Sequence, residues 1–210
     1  SEHSRRKRFV MIGILDYGVG NLLNLKNAID HLGLANQIIR GVQELELCER
    51  VLLPGVGAFA PAMQNLHASG ILGSLEKRVR EGMPLLGICL GAQMLLEKSS
   101  EDGTCRGLGW IPGKVLRFEH ELKVPQIGWN RVLCKPNDPL FESVPTGSFF
   151  YFVHSFMVVH DDPGYVLGYC VYERLSLVGA IRKGNITGLQ FHPERSGPAG
   201  LAVLENFISS

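Results

Sequence analysis

The sequence predicts an α/β fold: a mixed, mostly parallel central sheet flanked by helices, with a β-rich segment added in the second half. Three observations carry this expectation. The first half alternates short apolar runs with helically spaced stretches, the pattern of βα units. From Lys114 onward the rhythm changes to short β runs, and no repeat, low-complexity tract or linker separates the two halves, so both are expected to pack on one core. A chain of 210 residues is long enough to bury about 70% of its unfolded surface around such a core.

Residues 1–10 read as a tail ahead of a domain over 11–210. Residues 1–8 are polar and carry Arg5-Arg6-Lys7-Arg8, lack the apolar stretch of a secretory signal, and read as a solvated arm with Met11 as a natural start. The nearly continuous apolar run 9–15 predicts a central strand, and Asp16-Tyr17-Gly18-Val19-Gly20-Asn21 a glycine-rich turn opening a helix on which Leu22, Leu25, Ala28, Ile29 and Leu32 keep helical spacing. Strands are expected at 37–39, 51–54 and 85–88, and a helix over 72–80. In the second half, β runs fall at 115–118, 128–133, 149–153, 166–172, 178–182 and 187–191, and 199–208 closes the chain as a helix.

Composition narrows the function classes. A net charge of +1, 45% hydrophobic residues and 25 glycines describe a globular protein with no charge excess to favour nucleic acid or an anionic membrane. No apolar run reaches transmembrane length. Cys48, Cys89, Cys105, Cys134 and Cys170 are odd in number, scattered and free of C-x-x-C pairs, which fits reduced thiols and a cytoplasmic address. No pair of ligands stands at metal-binding spacing, so no metal is expected.

Chemistry is expected where apolar strands end in unusual loops, because parallel sheets collect binding residues at the carboxyl ends of their strands. In Pro84-Leu85-Leu86-Gly87-Ile88-Cys89-Leu90-Gly91-Ala92-Gln93 a strand breaks at a thiol and restarts as a helix. Such an elbow strains its apex residue, and small residues two before and two after let the chains pass. A helix starting there aims unpaired N–H groups at the sulfur, favouring thiolate and offering a donor to an adjacent oxyanion. A buried structural cysteine is the competing reading. Pro54-Gly55-Val56-Gly57-Ala58 also follows a strand, and its glycines let backbone amides approach a ligand; the alternative is a tight turn. As a cofactor fingerprint it fails, since the third glycine and a following Lys-Ser/Thr are missing.

Gly188-Leu189-Gln190-Phe191-His192-Pro193-Glu194 is a strand running into a turn, with two proton-handling side chains aimed to one side by their i, i+2 spacing. A histidine can take a proton from a thiol and return it to a leaving amine while a carboxylate fixes its tautomer. His3, His31, His67, His120, His154 and His160 read as structural or surface residues, with a reserve for His154.

Gly87-Ile88-Cys89-Leu90-Gly91-Ala92-Gln93 together with Phe191-His192-Pro193-Glu194-Arg195-Ser196 resembles the class I, triad-type glutamine amidotransferases, over nearly the whole chain from Met11. Three further stretches resemble, among these, the glutaminase subunits of imidazole glycerol phosphate synthases: Asp16 to Asn21 above, Val124-Pro125-Gln126-Ile127-Gly128-Trp129-Asn130, and Tyr151-Phe152-Val153-His154-Ser155-Phe156. The resemblance implies a catalytic Cys89, His192 and Glu194, an oxyanion hole from the backbone N–H groups of Val56 and Leu90, and glutamine held by Gly57, Gln93, Ser155 and Phe156. It implies no cofactor. It also implies a heterodimer with a (β/α)8 cyclase subunit of histidine biosynthesis, with Asn21, Trp129 and Arg195 at the interface. A glutaminase serving a paralogous synthase, such as one building acetamidino sugars, and a regulatory binding module with an idle triad are the alternatives. Two positions depart from the family pattern: Arg195 replaces the usual lysine, and Phe156 a frequent tyrosine, removing a hydroxyl.

Overall fold

The structure, a computed structural model, describes residues 10–118 and 123–210. The basic run of the expected tail, His3 and His120 lie outside the described residues.

In chain order, β1 (Ile12–Leu15) leads through α1 (Leu22–His31) to β2 (Asn36–Ile39), then through α2 (Val42–Glu46) to β3 (Arg50–Gly55). Helices α3 (Phe59–Ala68) and α4 (Leu72–Arg80) precede β4 (Leu85–Cys89), which passes directly into α5 (Leu90–Met94). There follow β5 (Lys98–Ser99), β6 (Cys105–Arg106), β7 (Lys114–Arg117), β8 (Gln126–Cys134), β9 (Phe149–His154), β10 (Phe156–Val159), β11 (Val166–Tyr172), β12 (Leu175–Lys183) and β13 (Ile186–Leu189). Helix α6 (Gly197–Ser209) ends the described chain.

The main sheet runs β2-β1-β3-β4-β13-β12-β11-β8-β9. Its first part, from β2 to β13, is parallel, as the βα alternation requires, because each crossover carries a helix. From β13 to β9 the pairing is antiparallel, with tight turns joining β11 to β12 and β12 to β13 and longer connections placing β8 and β9 beyond them. A smaller sheet runs β10-β7-β5-β6. The β-rich half therefore extends the same sheet, and its last strand, β13, inserts beside β4.

Side chains alternate between the two faces of these strands. Ile12, Ile14, Leu52, Leu86 and Ile88 pack with Leu25 and Ile29 of α1 and Leu204 and Phe207 of α6. Leu15, Leu53 and Leu85 pack on the other face with Phe59 and Leu66 of α3, Leu75 of α4 and Leu95. Strands β1 and β4 are buried throughout, which is why their sequences are continuous apolar runs. Among the described residues no helix is long and apolar enough to cross a membrane.

Candidate active site

Strands β1, β3, β4 and β13 are neighbours in the sheet, so the loops after their carboxyl ends share one edge. At the end of β4, Cys89 has φ 54° and ψ −113°, a conformation that L residues rarely adopt, and serves as N-cap of α5. Holding it is estimated to cost about 1–3 kcal/mol, so the surroundings must fix it. They do so by close approach. A Cβ at Gly91 would sit on the Leu53 carbonyl oxygen, and one at Gly87 would meet Ala92 N and Gly91 O at 2.8 Å. Both glycines are thus dictated by the packing of α5 against β3 and β4.

His192 follows β13. Its N–H donates to Tyr151 O at 2.9 Å, and Ser196 Oγ donates to His192 O at 2.6 Å while accepting from Tyr151 N–H at 2.9 Å, so β9 and the turn lock each other. Phe191 packs against Phe150 with ring centroids 4.2 Å apart. The imidazole Nδ1–H donates to Glu194 Oε1 at 2.8 Å, leaving Nε2 buried and without a hydrogen-bond partner. Burial opposes the charged imidazolium, but the neighbouring Cys89 and Glu194 outweigh it and raise the His192 pKa to about 10.

A cavity of about 410 Å³ opens beside these groups. Of the residues expected at the site, Val56, Gly57, Cys89, Leu90, Gln93, Ser155, Phe156 and His192 all line it, and Glu194 stands behind His192. Gly57 has φ +99°, a conformation suited to glycine. Gln93 is buried, and its amide donates to Phe156 O and Gln190 Oε1, each at 3.0 Å. Cys89 Sγ makes long contacts with Val153 O at 3.8 Å and Gln190 Nε2 at 4.0 Å.

Several contributors escape sequence reasoning. Glu101 lines the cavity while its carboxylate accepts from Phe59 N–H at 2.8 Å, and nothing local to 98–106 signals this long-range contact. Gln190 precedes the His-Pro-Glu stretch and is buried against Gln93. Tyr17, at the end of β1, donates from its hydroxyl to Pro54 O at 2.8 Å, supporting the Gly55 loop from below. His154, held in reserve above, also lines the cavity.

The residues expected at a partner interface lie outside this cavity. Asn21 is exposed and its side chain accepts from Asn24 N–H at 3.4 Å, so it is the N-cap of α1 whatever else it touches. Trp129 is 53% exposed and packs edge-on against Tyr151, with centroids 6.1 Å apart. The Arg195 guanidinium lies over the same tyrosine ring, its Cζ 4.1 Å from the centroid. Arginine stacks on a ring in a way lysine does not, which gives the departure at 195 a local use.

The sequence model of the family Glutamine amidotransferase class-I matches residues 13–210. The chain is 46% identical over 201 residues to the imidazole glycerol phosphate synthase subunit HisH of Methanosarcina barkeri, covering 94% of this chain and 97% of that one. It is 44% identical over 196 residues to the protein of the same name from Moorella thermoacetica, covering 93% of each. Among solved structures, it superposes with a TM-score of 0.75 on PurLQS from Thermotoga maritima, at 18% identity over 96% of this chain and 99% of that one, a likeness of fold. With the elbow, the His192–Glu194 pair and these relatives together, the chain belongs to the class-I glutamine amidotransferase family and, within it, to the HisH subunits of imidazole glycerol phosphate synthase.

Proposed function

We propose that residues 11–210 form one glutaminase domain that hydrolyses L-glutamine to glutamate and ammonia and delivers the ammonia to a (β/α)8 cyclase subunit. That partner forms imidazole glycerol phosphate and aminoimidazole carboxamide ribotide in histidine biosynthesis. The observation that carries the reading is the convergence of strained Cys89 and Glu194-backed His192 on one cavity. The names of the relatives support the pathway.

In this scheme the thiol proton has passed to His192, whose raised pKa favours the thiolate–imidazolium pair, and the Cys89 thiolate attacks the carboxamide carbon. The oxygen gains negative charge and is received by the backbone N–H groups of Val56 and Leu90; losing one such donor costs on the order of a hundredfold in rate. Collapse of the intermediate breaks the C–N bond, and the leaving nitrogen takes the proton from His192. Water, giving its proton to His192, then attacks the thioester carbonyl; the C–S bond breaks, glutamate leaves, and the thiolate–imidazolium pair is restored. Glu194 holds Nδ1–H throughout. Gly57, Gln93, Ser155 and Phe156 hold the rest of the substrate, and the Glu101 carboxylate matches the charge of its α-ammonium. No cofactor enters the scheme.

Ammonia that escapes into water is protonated and ceases to be a nucleophile, so the product must pass directly into a docked partner. Asn21, Trp129 and Arg195 are assigned to that contact. The cysteines are free thiols, in keeping with a cytoplasmic address. The test is Cys89→Ala protein saturated with the cyclase subunit and glutamine. It is expected to release no glutamate above background, and continued release overturns the reading.

A further inference from the structure

His154 stands in the cavity with Cys89 and His192, yet the scheme above gives it no task. It ends β9 and is 7% exposed. Its Nδ1–H donates to Phe156 O at 2.7 Å, which fixes the tautomer and leaves a lone pair on Nε2. That Nε2 is itself buried and has no hydrogen-bond partner. The ring has little freedom to turn away: it packs against Phe118 at 5.2 Å and Phe152 at 5.8 Å between centroids. Phe156 O, which accepts from His154, also accepts from Gln93 Nε2 at 3.0 Å, so one carbonyl fixes both side chains.

Burial disfavours a charge on His154; the Phe156 carbonyl opposes this and His192 reinforces it, and the pKa falls to about 4. At neutral pH the ring is therefore uncharged, and Nε2 can only accept. A buried acceptor without a donor is unfavourable unless something that binds supplies the missing N–H. Glutamine carries two N–H bonds on the nitrogen that leaves.

We infer that His154 orients the scissile carboxamide, its Nε2 accepting a hydrogen bond from the side-chain NH2 of bound glutamine and thereby fixing which end of the amide meets the oxyanion donors. The same lone pair repels the γ-carboxylate of glutamate, so the contact that helps substrate in also helps product out. This rests on the glutaminase reading and adds a selectivity for amide over oxygen leaving groups.

The test compares L-glutamine with the γ-methyl ester of L-glutamate, which presents no N–H at the reacting carbon and releases methanol. Both are assayed by glutamate formation, in complex with the cyclase subunit. His154→Phe keeps an aromatic ring without an acceptor and is expected to lower kcat/KM on glutamine by about tenfold or more, while the ester value changes by less than about threefold. His154→Gln restores an acceptor on a side chain of similar reach and is expected to recover much of the glutamine rate. His154→Leu is read in the same way as His154→Phe, should the latter pack poorly. Equal losses on both substrates in both apolar variants, or an unchanged glutamine rate in either, overturn the inference. Wild-type complex that releases glutamate from neither substrate overturns instead the glutaminase reading on which it rests.

Discussion

At His192 burial works against the imidazolium while Cys89 and Glu194 work for it, and the neighbours prevail. The consequence is a pH-dependent contribution to folding. Because the folded pKa, about 10, lies above the ordinary 6.5, the charged ring contributes stability that is fully present below pH 6.5 and is lost as pH rises through 10. Glu194→Gln removes one of the groups that raise it. This variant is expected to be destabilised relative to the parent most at the acid end of that window, with the difference shrinking toward pH 10. Denaturant midpoints across a pH series check this; a difference that grows with pH contradicts the assignment. The pairing was expected from the i, i+2 spacing of His192 and Glu194 on a strand end, but the structure reaches it differently: β13 stops at Leu189, and a single 3-10 turn after His192 brings Glu194 back beside the imidazole. The stacking of Arg195 on Tyr151 was not legible in the sequence, because it depends on the turn after β13 lying against β9.

The elbow is a property of three elements at once. Gly91 faces the β3 carbonyl of Leu53 across a gap that no side chain can share. Gly91→Ala is therefore expected to destabilise by about 1–3 kcal/mol through overpacking, and to lower glutaminase activity by displacing Cys89. Gly73, inside α4, has nothing within 4 Å of a would-be Cβ. There Gly→Ala is expected to raise stability by about 0.5–1 kcal/mol and leave activity alone. Urea titration of the two variants separates a glycine required by contact from one that is merely tolerated. The same contrast explains what could be read from sequence at this scale. Buried parallel strands such as β1 and β4 announce themselves by continuous apolar runs, and α4 was expected over the span it occupies. Helix α3 gave no such signal: it opens Phe59-Ala60-Pro61, has no side-chain N-cap, and its first N–H is satisfied by Glu101 from across the fold. Strands β5 and β6 are two residues each, too short for any periodicity to show.

On the scale of the molecule, the end of the sheet that carries β8 and β9 has an unusual outer face. Their antiparallel register sets Ile127 opposite Val153, Trp129 opposite Tyr151 and Arg131 opposite Phe149. Ile127, Trp129 and Phe149 are 62%, 53% and 52% exposed, forming an apolar, aromatic surface on one face of the sheet's end, while the edge of β9 is held by the turn after β13 through Tyr151. Exposed apolar patches of this kind mark surfaces suited to docking. Val153 belongs both to this face and to the cavity lining, so whatever docks here lies next to the place where ammonia is made. This is the face proposed above for the cyclase subunit. Trp129 has the features of an interface anchor: large, half-exposed, and held in place by Tyr151 rather than by the core. Trp129→Ala is expected to weaken binding of the cyclase subunit by about 2 kcal/mol or more, roughly thirtyfold in Kd, while changing the stability of the isolated chain by less than about 0.5 kcal/mol. Calorimetric titration with the cyclase, alongside thermal unfolding of the chain alone, distinguishes the two roles. A large loss of stability with unchanged Kd would assign Trp129 to packing and move the docking surface elsewhere.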